Sequence, residues 1–315
     1  MGEMKRMGVL VLAAAAALQA ATPPQMTLKV GVELVNVLFT VTDRKGHFVP
    51  GLGRTDFLIE EDGRKQDTRF FSRENELPVT IGLLVDTSPS VRATFDKERA
   101  AAIRFFSATL REKDAALVIG FDKSVTLVQD FTDDPRRLER SIDELEIGPV
   151  MNGGTSMYDA VYLAAKEKLR DEAGRKTIIL ISDGDDTTSK IRAEEALATA
   201  HGSDAVIYTI AIGGGRWLGA RGRRGTRFGS GDHGALKQLS EETGGTFFNI
   251  DKMQEFDEAF ARINEELRNQ YSIGYVSTNA ARDGKYRRIR IIPRDQSYRI
   301  QARKGYYAAK RPDSQ

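Results

Sequence analysis

Apolar positions fall along this chain in three rhythms. From 27 to 77 they alternate in part with polar ones, as in Val35-Asn36-Val37-Leu38-Phe39-Thr40-Val41. A period of two puts every second side chain on one face of a strand. Phe57–Glu61 and Gln66–Phe71 flank Asp62-Gly63, a hairpin-turn signal. From 78 to 269 unbroken apolar runs take turns with helix-length segments. Val79–Val85, Ala115–Phe121, Val125–Phe131, Thr177–Ser182, Ala205–Ile212 and the short Thr246–Asn249 read as strands. Asp96–Arg111, Pro135–Leu145, Tyr158–Asp171, Arg192–His201, Gly234–Thr243 and Gln254–Arg268 read as helices. From 270 to 308 the β rhythm returns in Gln270–Val276, Tyr286–Ile292 and Tyr298–Ala302, and 309–315 is a polar tail.

These rhythms predict an α/β fold. Strands alternating with helices give a doubly wound, mostly parallel sheet covered on both faces. Ile178-Ile179-Leu180-Ile181 lacks any polar alternation, as a strand buried on both faces should. Asp122-Lys123-Ser124 is short enough for a hairpin. Asp134 before Pro135 is an N-cap signal, and Gly174 and Gly244-Gly245 are helix stops. Each flanking β zone is too small to bury a good core alone. The expectation is one small β-sandwich made from 27–77 and 270–308, with the α/β domain 78–269 inserted between them.

Composition narrows the chemistry. The chain has 315 residues and a formal net charge of +2, so global charge points to no particular partner. It has no cysteine, which removes disulfides, thiol catalysis and Cys-ligated zinc. His47, His201 and His233 are widely separated and not at metal-ligand spacing, and read as surface or loop residues. Lys5 and Arg6, the apolar run Val9–Leu18 and Ala20 or Ala21 before Pro23-Pro24 have the form of a cleaved export signal over 1–21. Met7–Leu18 falls short of the roughly 20 apolar residues that span a bilayer. The expected location is periplasmic or secreted.

The candidate chemistry gathers where strands end. Val79–Val85 runs into Asp86, Ser88 and Ser90, spaced D-x-S-x-S; Ile178–Ser182 runs into Asp183-Gly184; and Gly153-Gly154-Thr155 precedes a helix. In a doubly wound domain all three pieces lie at one sheet edge. Ser88, Ser90 and Thr155 would offer hydroxyls to a divalent ion, with Asp86 and Asp183 behind them, directly or through water. An oxygen-only set suits Mg²⁺, with Mn²⁺ or Ca²⁺ as alternatives. An open position on such an ion would favour an acidic residue of a protein partner. A lone D-x-S-x-S is also an ordinary helix-capping turn; it is the three segments together that favour the ion.

Asp86-Thr87-Ser88-Pro89-Ser90, Gly154-Thr155-Ser156-Met157-Tyr158-Asp159-Ala160 and Ile181-Ser182-Asp183-Gly184 resemble the metal-ion-dependent adhesion site (MIDAS) of von Willebrand factor A-type domains. The resemblance covers about 78–269. It implies a central parallel sheet with one antiparallel edge strand, and Asp86, Ser88, Ser90, Thr155 and Asp183 as site residues. V-T-D-R-K-G, D-F-L-I-E-E-D-G, Q-Y-S-I-G-Y and R-K-G-Y-Y in the flanks resemble the exported von Willebrand A-related proteins of acidobacteria. Pro89 departs from the pattern, which often has Gly there.

Three further readings follow. Asp185 and Asp186 read as caps for the helix near Ile191 or as a solvated loop, with added negative potential at the ion as the alternative. Arg216, Trp217, Arg221, Arg223, Arg224 and Arg227 sit in a Gly/Arg-rich loop after Ala205–Ile212, and read as a contact for an acidic partner, with a solvated insertion as the alternative and nucleic acid the less favoured ligand. Ser88 or Ser90 with Asp183 has no G-x-S-x-G elbow and no histidine motif, so the chain reads as a non-enzymatic binding protein. The other class kept open is a structural or assembly factor of the cell envelope whose metal only stabilises the fold.

Overall fold

The computed structural model of the chain describes residues 34–74, 77–151, 153–212, 233–250, 252 and 254–310. The strands are β1 (Leu34–Thr42), β2 (Phe57–Glu61), β3 (Arg64–Gln66), β4 (Thr68–Arg73), β5 (Val79–Asp86), β6 (Ala115–Phe121), β7 (Val125–Thr132), β8 (Arg175–Ser182), β9 (Ala205–Ile212), β10 (Phe247–Ile250), β11 (Tyr271–Val276), β12 (Tyr286–Pro293), β13 (Arg299–Ala302) and β14 (Gly305–Tyr307). The helices are α1 (Phe95–Thr109), α2 (Pro135–Asp143), α3 (Met157–Tyr162), α4 (Ala193–Gly202), α5 (His233–Thr243) and α6 (Glu255–Arg268).

The central sheet has the order β10-β9-β8-β5-β6-β7. All its pairings are parallel except β6 with β7, the short hairpin that the Asp122-Lys123-Ser124 turn predicts. Every residue of β5 and of β9 is buried, which is why these strands show no polar alternation. One face of the sheet carries Val79, Ile81, Leu83 and Val85 against α1, α2 and α6. The other carries Leu84, Leu117 and Ile119 against α3, α4 and α5. Because the strands are parallel, β5 and β8 deliver Asp86 and Ser182 to the same edge.

The flanks form two four-stranded antiparallel sheets, β13-β1-β11-β4 and β14-β12-β2-β3, and both mix strands from the two ends of the chain. Leu34 to Phe39 of β1 pair with Val276 to Tyr271 of β11. Val35, Val37, Phe39 and Val41 point inward to meet Phe57, Ile59, Ile273 and Tyr275. Phe39, Phe57, Phe71 and Tyr271 pack ring on ring, with centroids 5.0 to 6.5 Å apart. At one end of this core, buried Glu61 accepts the hydroxyls of Tyr275 (2.7 Å), Tyr306 (3.0 Å) and Ser277 (2.5 Å). The flank sequences E-E-D-G, Q-Y-S-I-G-Y and R-K-G-Y-Y are thus three parts of one hydrogen-bonded node.

The structure corrects the sequence reading in three places. Gln66–Phe71 is not one strand: the chain changes sheet at Asp67, with β3 in one sheet and β4 in the other. The buried Gln66 carboxamide pins this corner, bonding Thr278 through its Oε1 and its Nε2 at 3.0 Å each. The helix predicted over Tyr158–Asp171 widens after Tyr162 into π-helical hydrogen bonding over Leu163–Leu169. His201 is not a surface residue. It is buried on the last turn of α4, between Tyr286 and Tyr307 of the sandwich, with both ring centroids 6.0 Å away. Its Nε2 lies 3.1 Å from the Glu242 carbonyl. A carbonyl only accepts, so Nε2 carries the proton.

Arg175, at the start of β8, ties the two crossings between sheet and sandwich. Its guanidinium donates to the Leu77 carbonyl (2.9 Å), the Gln270 side-chain oxygen (3.1 Å) and the Leu267 carbonyl. Leu77 precedes β5, and Leu267 and Gln270 bracket the end of α6 and the start of β11. Burial brings the Arg175 guanidinium down to about 10; at neutral pH it stays charged. Arg175→Ala leaves these acceptors unmatched and should lower the urea-unfolding free energy by about 3 kcal/mol, on the scale of lost hydrogen bonds to charged groups.

Burial, with the charge of Arg303 adding to it, brings His201 down to about 4 from 6.5. A depressed histidine folds neutral, so the unfolded chain binds the extra proton first. Stability is therefore lost as pH falls from about 6.5 to about 4, by up to about 3 kcal/mol. Urea melts at pH 7 and pH 4.5 should show the wild-type chain losing about 2 to 3 kcal/mol more than His201→Gln.

Candidate metal centre

Three loops meet at the carboxyl edge of β5, β6 and β8. In the first, Asp86 closes β5 and is wholly buried. Its Oδ1 accepts the Ser88 backbone N–H at 2.8 Å and its Oδ2 accepts the Ser182 hydroxyl at 2.7 Å. Burial pushes this carboxyl up to about 6, against the pull of the Ser182 and Ser88 bonds, with Asp183 raising it further. Ser88 takes extended backbone, φ −66° and ψ 156°, and Pro89 opens a 3-10 turn over Pro89–Val91. Proline suits the first position of such a turn and favours an extended residue before it. The departure at Pro89 therefore leaves Ser88 and Ser90 on the loop with their hydroxyl oxygens 2.8 Å apart.

The second loop brings Thr155. Its backbone N–H donates to the Thr187 hydroxyl at 2.9 Å, and its carbonyl accepts the N–H groups of Thr187 (2.9 Å) and Thr188 (3.1 Å). Gly154 must be glycine for this contact, since a Cβ there would stand 2.5 Å from the Thr188 methyl. Gly148 N–H bonds the Thr87 carbonyl and Ser156 N–H the Asp122 carbonyl, which stitch this loop to the ends of β5 and β6. The third loop begins at Ser182 and Asp183, both buried. Ser182 accepts the Gly184 N–H at 3.0 Å while donating to Asp86. The structure thus puts Asp86, Ser88, Thr155 and Asp183 in buried positions and leaves Ser90 exposed at the rim.

Asp186 has a different role from either one read in the sequence. Its Oδ1 accepts the backbone N–H groups of Met157 (2.8 Å) and Tyr158 (3.3 Å), so it caps α3 and not the helix after Ile191. In return Asp159 accepts the N–H groups of Lys190 and Ile191. Arg216, Trp217, Arg221, Arg223, Arg224 and Arg227 lie outside the described residues, as does the export-signal segment.

The donor set fits a small hard cation. It is all oxygen. Two ligands about 2.0 to 2.1 Å from an octahedral Mg²⁺ lie about 2.8 to 3.0 Å from each other, matching the Ser88 and Ser90 hydroxyls at 2.8 Å. Among the described residues no three His, Asp or Glu side chains converge to hold a metal by themselves, so hydroxyls would have to supply much of the shell. One acidic residue escaped the sequence reading. Glu98 of α1 is wholly buried, and neither of its carboxylate oxygens has a hydrogen-bond partner. A signal was present: Glu98 lies on the stripe Phe95, Ala101, Ala102, Phe105 and Phe106 that faces the sheet.

The family model described as von Willebrand factor type A domain matches residues 81–185. An uncharacterized protein of Borreliella burgdorferi is 26% identical over 186 residues, 54% of this chain and 53% of that protein. The chain spans about half the length of this curated relative. Among solved structures, proximal thread matrix protein 1 of the mussel byssus, with a zinc-occupied MIDAS motif, is similar at a TM-score of 0.51 and 16% identity, over 64% of this chain and 48% of that one. BatB of Bacteroides thetaiotaomicron reaches a TM-score of 0.48 at 19% identity, over 61% of this chain and 97% of that one. Likeness at such identities is one of fold. The residues that match a von Willebrand factor type A domain, 81–185, take in most of β5 and all of β6, β7 and β8 of the six-stranded sheet.

Proposed function

We propose that this chain is an exported, metal-dependent protein-binding module, which captures an acidic side chain of a partner through a divalent cation. Ser88, Ser90 and Thr155 would hold the ion through hydroxyls, with Asp86 and Asp183 behind them. Mg²⁺ suits the set best, with Mn²⁺ or Ca²⁺ as alternatives. Neutral hydroxyls donate little charge, so the ion keeps its attraction for an incoming carboxylate. The observation that carries this reading is the pair of Ser88 and Ser90 hydroxyls at the spacing of an octahedral edge, above two buried carboxylates. A mussel protein of similar fold holds zinc at its MIDAS motif, which is in keeping with a divalent ion.

The surroundings suit a docked protein. On the loop that leads to Thr155, the apolar Val150 and Met151 stand 75% and 83% exposed. Exposed apolar side chains beside a polar anchor are characteristic of interaction surfaces. Export rests on the N-terminal sequence. Among the described residues no helix is long and apolar enough to cross a membrane.

Capture of proteins from envelope extract, with Mg²⁺ against EDTA, tests the reading on the full chain. A partner should be retained with Mg²⁺ and lost with EDTA. Ser88→Ala with Ser90→Ala should weaken Mg²⁺ binding by about tenfold or more and abolish capture, while the melting temperature in EDTA stays within about a degree of wild type. Capture that survives EDTA and the double substitution would overturn the proposal. A Mg²⁺-dependent rise in melting temperature with no captured partner would support the structural role instead.

A further inference from the structure

The loop from the end of α2 to Thr155 is fastened at both ends and bare at its tip. At its start the Arg99 guanidinium donates to the carbonyls of Asp143 (2.7 Å) and Leu145 (3.4 Å), and Ile147 packs against the core. Gly148 then donates to the Thr87 carbonyl at 2.8 Å, one residue before Ser88. It lies so near Asp122 that a Cβ there would collide with the carboxylate. On the return, a Cβ on Gly153 would stand 3.7 Å from the Pro89 ring, between Ser88 and Ser90 in the chain, and 3.1 Å from the Pro149 carbonyl. The loop therefore folds back on itself against the segment that bears both serines. Its tip carries Val150 and Met151, 75% and 83% exposed. Among the described residues the next most exposed large apolar side chain is Leu34, at 52%. Single apolar residues at a surface are ordinary; two adjacent ones on a tethered tip are a patch.

We propose that Val150 and Met151 set which acidic partners the centre accepts. The favoured partner is a protein segment that carries a large apolar side chain within three residues of its Asp or Glu. This rests on the reading of the centre as a cation that captures a carboxylate. An ion reads only the carboxylate, which every acidic segment offers, so discrimination has to come from the neighbouring contact. Met151 is two residues from Gly153 and so within about 7 Å of it. Two or three extended residues of a partner cover that span, with the carboxylate at the serines and the apolar side chain on the tip. Both side chains gain by leaving water on docking. The unbranched thioether of Met151 adapts to apolar partners of differing shape. Because the loop is pinned at Thr87 and Pro89, little chain is left to order when the partner arrives.

Selection of a random peptide phage library on the full chain in Mg²⁺, with elution by EDTA, tests this. The comparison uses the wild type, Val150→Ser with Met151→Ser, and Ser88→Ala with Ser90→Ala. The wild type should enrich peptides with Asp or Glu within three residues of Leu, Ile, Met or Phe. The Val150→Ser, Met151→Ser chain should melt within about a degree of wild type and bind Mg²⁺ with unchanged affinity by titration calorimetry. It should still select acidic peptides but lose the apolar neighbour. A synthetic copy of the peptide selected by the wild type should bind it about tenfold or more weakly. Acidic peptides without an apolar neighbour from the wild type, or the same enrichment from both chains, would overturn the inference and leave carboxylate capture standing. If EDTA releases no acidic peptide from the wild type, or Ser88→Ala with Ser90→Ala selects the same peptides, capture itself fails and this inference with it.

Discussion

A segment inserted into a sandwich must leave and return at nearly the same place, and the rest of this structure depends on how that constraint is met. The guanidinium of Arg175 meets it. One planar group reaches Leu77 on the outward crossing and both Leu267 and Gln270 on the return. Five fixed donors make arginine the side chain suited to bind several carbonyls at once. Because Arg175 also begins β8, the clamp belongs to the central sheet itself. Its position sets where β5 starts, hence where β5 ends, hence where Asp86 lies. The backbone bond from Arg175 N–H to the Pro78 carbonyl, at 3.0 Å, makes the same connection a second time.

At the opposite edge, the centre assembles by a different logic. Ser88 and Thr155 are buried along with Asp86 and Asp183, Ser90 alone of the five reaches the exposed rim, and the loops are fastened largely by backbone bonds. Asp86 spends both oxygens on Ser88 N–H and Ser182, which fixes the turn but does little to offset the cost of its burial. The protein thus buries Asp86 and Asp183 at the edge where the Ser88, Ser90 and Thr155 hydroxyls gather. That is a poor arrangement for stability alone and a sensible one for meeting a cation.

Where the sequence was legible, it was legible for a physical reason. Ala115–Phe121 and Ala205–Ile212 have the bounds read from their apolar runs, because a strand covered on both faces cannot hide its pattern. The gathering of Asp86, Ser88 and Asp183 at one sheet edge was legible because neighbouring parallel strands end on the same side. What escaped was charge that behaves unlike charge. Glu98 sits in a run of Asp96, Lys97, Glu98 and Arg99 that reads as a solvated helix start, and Arg175 follows Gly174 as though on a surface turn. Glu61 and Tyr275 become partners only across 214 residues. The division at Asp67 was also invisible, since alternation tells which side chains share a face but not which sheet the strand joins.

The antipodal placement of the clamp and the centre has a mechanical consequence. Val79 follows the outward crossing and Asp86 closes the same strand, so about 23 Å of β5 connects them. Hydrogen-bonded ladders to β6 and β8 flank that strand on both sides. A pull between a ligand at the centre and the sandwich would run lengthwise down β5 and load both ladders in shear, where many bonds must fail together. The arrangement resists tension applied along β5.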